Sequence, residues 1–235
     1  MGESEAAQLL AAMGETPFWK VNKLSQNQID DLYSLAAKTD KVLTECGIKY
    51  WIDGGTLLGA IRHEGLIPWD EDIDLNMLES SQSQFLTDAV PKLEAMGLGT
   101  EARWYGGYRI FWKDNELLPS EKGACTYPFI DFFLLSPTSN DDDCLEYADA
   151  KARDLYGCYW SISEELLPLI RYQFGPLRLL GASKPEAYLT RYYGPNWANE
   201  AYQIYDHKTR KQPIPLKVAL KKFEPALPSR SFYLK

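Results

Sequence analysis

Apolar and polar positions in this chain recur with two periods, and the switches between them mark its elements. Ser25-x-x-Gln28 has the form of a capping box, and Ile29, Leu32, Tyr33, Ala36 and Leu43 follow at mostly helical spacing. A helix is therefore predicted up to Gly47, which stands where a left-handed cap is needed. The apolar run from Ile48 to Ile52 predicts a buried strand ending in Gly54–Gly55. Thr56 opens a short helical pattern with Leu57, Leu58 and Ile61 on the core side and Arg62 and His63 at its end. Asp72 and Asp74 then alternate with Ile73 and Leu75, the period of a strand that buries one face. Ser80 or Ser81 caps a helix to about Met96, with Phe85, Leu86, Ala89 and Leu93 inward and Pro91 kinking or dividing it.

In the second half, WYGGYRIFWKDN and residues 128–135 read as successive strands, with turns at Gly106–Gly107 and Asp114–Asn115. Asp141–Asp143 precede a helical pattern reaching about Tyr156, with Leu145, Ala148, Ala152 and Leu155 as its buried side, so their charge suits a helix N-terminus. Phe174–Leu177 is extended, and Lys184-Pro185-Glu186 starts a short helix. The expectation is an α+β fold: a small mixed β-sheet carrying the acids, packed helices, and a small C-terminal helical lobe closing one side of a cleft. Residues 1–24 read as an N-terminal arm, 25–206 as one domain and 207–235 as a basic tail.

The chemistry converges on YWIDGGTLLGAIRHEGLIPWDEDIDL, from Tyr50 to Leu75. Two carboxylates on one strand face repel each other unless a cation sits between them, so Asp72 and Asp74 ask for Mg²⁺ or Mn²⁺. A calcium loop is the rival, since Asp70, Asp72 and Asp74 match its first three ligand positions. It fails where Leu75 replaces the turn glycine and Ser81 the bidentate Glu. Gly54, Gly55 and Thr56 can present backbone N–H and hydroxyl groups to an anion. Arg62 and His63 can add positive or hydrogen-bonding groups, and Asp70 can ligate or cap the turn. Arg109 and Lys113 share a strand face, where they neutralise a diphosphate or form a solvated edge pair. Tyr188, Tyr192, Tyr193, Trp197, Tyr202 and Tyr205 crowd the C-terminal end as core, or as a surface for a sugar, base or quaternary ammonium.

The segment GGTLLGAIRHEGLIPWDEDIDL resembles the LicD/fukutin family of phosphotransferases, whose members share the nucleotidyltransferase fold. PFIDFFLLSP supplies the third acid of that fold, Asp131, and RYQFGPLRLLGASKPEAYLTRYYGPNWANEAY is similar to the family's closing block. The resemblance implies transfer of an alcohol phosphate, such as phosphocholine or ribitol phosphate, from a CDP-linked donor to a glycan hydroxyl, with release of CMP. In that scheme Asp72 and Asp74 hold one or two Mg²⁺ ions, and Asp131 completes a second metal site or accepts the acceptor's proton. Two alternatives stay open. The same carboxylates can direct transfer of NMP from an NTP, releasing pyrophosphate, or the fold can serve as a non-catalytic nucleotide-binding module.

Bulk properties narrow the setting. The chain has 235 residues, 45% of them hydrophobic and 25% charged, which suits one globular core. No apolar run approaches the roughly 18–20 residues of a membrane span, and the N-terminus has no basic flank, so a cytoplasmic protein is expected. Cys46, Cys125, Cys144 and Cys158 form no C-x-x-C pair, and with two histidines a zinc site is not expected. A net charge of −8 argues against nucleic-acid binding. Residues 207–235 nonetheless carry eight Lys/Arg against one Glu, a tail suited to the body itself, an anionic substrate or peripheral contact with an anionic membrane.

Overall fold

A computed structural model describes residues 24–115, 117–120, 123–157, 159–201, 218–220 and 225–226. Helix α1 (Gln26–Glu45) begins at the predicted capping box: Ser25 Oγ accepts from the Gln28 N–H, and the Ser25 N–H donates to Gln28 Oε1 at 2.9 Å. Its apolar face buries Ile29, Leu32, Tyr33, Leu35, Val42 and Leu43, and Gly47 takes φ +70° just beyond its end. Strand β1 (Tyr50–Ile52) follows, then α2 (Gly54–His63) and β2 (Ile73–Leu78). A helical stretch then changes pitch three times, from a 3₁₀ turn (Glu79–Ser81) through one α-helical turn (Gln82–Gln84) and a π segment (Phe85–Ala89) to α3 (Val90–Ala95). Pro91, in the first turn of α3, has no N–H to offer the preceding turn, and the chain widens just ahead of it. Phe85, Ala89 and Leu93 face inward as expected. Leu86 does not: the changed pitch leaves it exposed.

Strands β3 (Leu98–Ala102), β4 (Tyr108–Trp112), β5 (Leu117–Ser120), β6 (Gly123–Thr126), β7 (Phe129–Thr138) and β8 (Asp141–Tyr147) come next. Among the described residues the main sheet has seven strands in the order β1-β2-β7-β4-β3, extended by β8 on β7 and by β9 (Trp160–Ser161) on β8. It is mixed: β2 and β7 run parallel and the other neighbours antiparallel. Helix α1 packs across β7 and β4, and α2 packs on β2.

The helix expected from Asp141 to Tyr156 is replaced by strand β8 followed by a shorter helix, α4 (Ala150–Tyr156). Leu145 and Tyr147 alternate into the core and keep the chain extended along β7. Asp149 caps α4 by accepting from the Lys151 and Ala152 N–H groups at 2.8 and 3.3 Å. Leu155, expected inside, is 62% exposed. Asp143 does not serve the N-terminus of α4; it accepts from Ser161 Oγ and from the Ser163 N–H and Oγ, at the start of the π-helical segment Ile162–Leu166.

The C-terminal part is less helical than expected. A hairpin of β10 (Ile170–Phe174) and β11 (Leu177–Gly181) packs beside β1, and one helix, α5 (Glu186–Tyr193), follows. Of the 207–235 segment, β13 (Val218–Ala219) pairs with β12 (Glu200–Ala201), and the Ala226 N–H donates to Leu66 O at 2.8 Å. The N-terminal arm lies outside the described residues apart from Leu24, which is buried.

Candidate active site

Three neighbouring strands set the acids in one row. Asp74 on β2 is in register with Asp131 on β7, and Asp131 is in register with Arg109 on β4. Residues paired in register project from the same face, while Ile73, Leu75, Ile130, Phe132 and Ile110 fill the other face, each at most 3% exposed. Asp72 lies just ahead of β2 on the side of Asp74 and is buried. Burial pushes the Asp74 carboxyl well above the usual carboxylate range. The negative charges of Asp72, Asp131, Asp70 and Asp53 push it further.

Residues 53–56 wrap this row. Asp53 donates its N–H to Asp74 O at 3.1 Å, and the Asp74 N–H donates to Thr56 Oγ1 at 2.8 Å. Gly54 has φ +49°, and a Cβ there would stand 2.9 Å from Asp74 Oδ2; a Cβ on Gly55 would run into the Asp70 carboxylate. Both positions therefore need glycine for the carboxylates to approach the start of α2. Thr56, expected to face a phosphate, has a structural role here: its hydroxyl oxygen accepts from the Asp74 N–H. Glu71, almost fully buried, accepts from Tyr127 Oη at 2.7 Å and so fixes the loop between Asp70 and Asp72.

The remaining candidates divide sharply. Arg109 belongs to the row but is committed: its Nε and Nη2 donate to the two oxygens of Asp131, both at 2.7 Å, and its guanidinium lies 3.4 Å from the centroid of the Phe129 ring. Burial works against its charge, but the attraction of Asp131 outweighs burial and raises its pKa. Lys113 is not brought to the row. It is exposed, 4.0 Å from Glu94, and four strand residues from Arg109 place it about 13 Å along β4. Arg62 and His63 stand at the C-terminal end of α2, the opposite end from Gly54. Arg62 Nη1 donates to Trp197 O and Glu200 O at 2.9 and 2.7 Å, and its Nε donates to His63 Nε2, while the His63 ring meets Trp69 edge-on. The Arg62 bonds tie the end of α2 to the C-terminal segment.

A divalent cation fits the pair Asp72–Asp74, since the half-buried Asp74 carboxyl is burdened by four negative neighbours. Asp131 stands differently from the expectation, because Arg109 takes both of its oxygens. Among the described residues no group of three acids, histidines or cysteines stands ready to hold an ion.

Aromatic rings extend the same face. Phe133, two residues beyond Asp131, meets Tyr105, Tyr147 and Tyr156 at centroid distances of 4.5, 5.6 and 5.6 Å. Burial raises the Tyr156 phenol, as do the charges of Asp74, Asp131 and Asp72, so its ring borders the row. At the C-terminal end Tyr188 is buried and stacks on Trp160 at 3.8 Å, and Tyr192 and Tyr193 are half-buried beside it. Trp197 donates its indole N–H to Thr190 Oγ1; Tyr202 and Tyr205 lie outside the described residues.

Sequence reasoning passed over a polar cluster beneath Asp74. Asn76 continues the Asp72–Asp74 alternation and is fully buried. Asp53, also buried, has its carboxyl raised by desolvation; Tyr188, Asn76 and Trp160 side chains and the Gly54 N–H act on it as donors and oppose that rise. None of these side chains reaches direct hydrogen-bond geometry: Asp53 Oδ1, both Asn76 amide atoms, Trp160 Nε1 and Tyr188 Oη are enclosed without a partner. A buried polar atom left so costs about 1–3 kcal/mol. The Asp72-x-Asp74-x-Asn76 spacing was the available signal.

A family model described as LicD/FKTN/FKRP, nucleotidyltransferase domain, matches residues 47–180. An uncharacterized protein of Rickettsia prowazekii is 32% identical over 188 residues, which are 80% of this chain and 63% of that protein. Ribitol 5-phosphate transferase FKRP of Homo sapiens is 56% identical over 36 residues, 15% of this chain and 7% of that protein. Lipopolysaccharide cholinephosphotransferase LicD of Haemophilus influenzae is 54% identical over 39 residues, 17% of this chain and 15% of that protein. Among the described residues no helix is long and apolar enough to cross a membrane.

Proposed function

This chain belongs to the LicD/FKTN/FKRP nucleotidyltransferase-domain family, and from that premise we propose that it moves an alcohol phosphate, such as phosphocholine or ribitol phosphate, from a CDP-linked donor to a hydroxyl of a glycan or related acceptor. The observation that carries the reading is the in-register row of Asp74, Asp131 and Arg109 beside the glycine start of α2. Local identity to a ribitol 5-phosphate transferase and a cholinephosphotransferase supports the class of group transferred.

In this reading the donor diphosphate lies across the N-terminus of α2, where the Gly55 and Thr56 N–H groups have no partner within the helix and the helix dipole favours negative charge. Asp72 and Asp74 would hold Mg²⁺ or Mn²⁺, with Asp70 alongside; bound there, the ion neutralises the charge of the diphosphate. Arg109 fixes Asp131 through two hydrogen bonds and adds a permanent positive charge to the row. The acceptor oxygen forms a bond to the phosphorus that carries the alcohol. The bond from that phosphorus to the bridging oxygen breaks, and the bridging oxygen leaves with CMP. The acceptor's proton passes to Asp131, which keeps lone pairs beyond the two that Arg109 occupies. A loose transition state asks little of this base, so positioning and charge carry the catalysis.

The test is product analysis with Mg²⁺ and CDP-choline, CDP-ribitol or CDP-glycerol, beside ATP and CTP, for the native chain and Asp72→Asn. CMP from a CDP-alcohol, lost in the variant, supports the proposal. Pyrophosphate from an NTP replaces it with nucleotidyl transfer.

A further inference from the structure

Asp53 is in the place of a helix cap and does not cap. It is the N-cap residue of α2, of a type strongly preferred there, with the extended backbone of that position (φ −134°, ψ 177°). Its carboxylate nevertheless makes no capping hydrogen bond; of the first-turn amides only that of Gly54, its chain neighbour, acts on it. It turns instead into the enclosure formed by Asn76 from β2, Trp160 from β9 and Tyr188 from α5, whose donors act on it without direct contact. Asn76, Trp160 and Tyr188 are each at most 1% exposed, so their enclosed polar atoms have no recourse to solvent.

We propose that Asp53 is a positioning residue: the donors of Asn76, Trp160 and Tyr188 draw its carboxylate away from the capping position, so that the Gly55 and Thr56 N–H groups stay open for the donor's phosphate. A carboxylate in the capping position would accept from those N–H groups and set a negative charge where the phosphate must sit. The unpartnered polar atoms thus have a function. They compete with the cap, and an enclosure that satisfied itself would not need Asp53. The Asp53 N–H bond to Asp74 O keeps the backbone fixed while the side chain faces the other way. This inference rests on the reading of the α2 start as the diphosphate subsite.

The experiment compares native chain, Asn76→Leu, Tyr188→Phe, and each of these combined with Asp53→Ala. Amide hydrogen exchange at Gly55 and Thr56 and binding of CDP are measured. The native amides are expected to exchange freely. In Asn76→Leu and Tyr188→Phe the released carboxylate caps α2, so exchange there slows about fivefold, the equilibrium value of an ordinary N-cap. CDP binding weakens about tenfold through the added like charge, and Asp53→Ala reverses both effects. A merely structural enclosure would instead give weaker CDP binding that Asp53→Ala does not restore. That result, or unchanged exchange in both single variants, overturns the inference. If the native chain binds no CDP, the proposed function fails, while the exchange measurement still decides the role of Asp53.

Discussion

Asp74 and Asp131 stand side by side on parallel strands, in direct register across β2 and β7. Backbone pairing, and not attraction, holds these two like charges together. The site therefore stores repulsion that a cation, a proton or Arg109 must offset, and its responses to pH, metal and substitution follow from how that repulsion is shared.

The contribution of Asp74 to the stability of the metal-free chain is expected to fall with rising pH. The folded Asp74 carboxyl is raised well above the usual range, by burial first and by its acidic neighbours next. The folded state therefore keeps this proton longer than the unfolded chain. The contribution of Asp74 to stability is fully present below the unfolded value, about 3.9, and is lost as pH rises through the folded one. Melting curves in EDTA across that range should show the decline; Mg²⁺ at the upper end, or Asp74→Asn, should remove most of it. A melting temperature indifferent to both would refute the stored repulsion.

Asp72→Asn and Asp74→Asn should each cut turnover at least about a hundredfold and weaken Mn²⁺ binding, while melting no lower than the native chain in EDTA. Loss of turnover with unaltered Mn²⁺ affinity would remove the pair from the metal site.

Arg109→Met should destabilise the fold by about 3–5 kcal/mol, because it leaves Asp131 buried without its counter-ion. Combining it with Asp131→Leu should recover much of that loss. Denaturant titration of the four proteins reads the coupling directly. An Arg109→Met chain as stable as the native one would mean that the guanidinium serves substrate alone.

Gly54→Ala should cost about 1–2 kcal/mol for its left-handed backbone, and it also displaces the Asp74 carboxylate. Gly55→Ala collides with Asp70 instead. Both should therefore lower Mn²⁺ affinity, measured by titration calorimetry, and Gly54→Ala should in addition lower the melting temperature.

Lys113→Ala should change neither stability beyond about 0.5 kcal/mol nor the KM for the donor, since its long, exposed ion pair lies away from the row. Arg62→Ala should lower the melting temperature by releasing the Trp197 and Glu200 carbonyls. A donor KM raised by Lys113→Ala would require the diphosphate to extend along β4.

What could be read from the chain was what is local in it. The capping box of α1, the strand before Gly54–Gly55 and the alternating Asp72 and Asp74 are decided by residues a few positions apart. Asp131 was found by motif, but its partner was not: Arg109 meets it only through the antiparallel pairing of β4 with β7, and its reach toward a phosphate could not be told from its commitment to a carboxylate. The stretch from Asp141 misled because Leu145, Ala148 and Ala152 fit a helical period, whereas the edge of β7 and the Asp149 cap divide it into strand and helix. Asp53 was hidden most deeply, since Trp160 and Tyr188 arrive from more than a hundred residues away.

The parallel pairing of β2 with β7 also orders events in time. The chain between Leu78 and Phe129 must be crossed before Asp131 can lie beside Asp74, and so long a closure is slow to form. Arg109 lies within that span, on β4, the other neighbour of β7. A chain emerging residue by residue therefore acquires the guanidinium before the second acid. The neutralising charge is already at hand when the repelling one docks, and the meeting of these two like charges is never made unescorted.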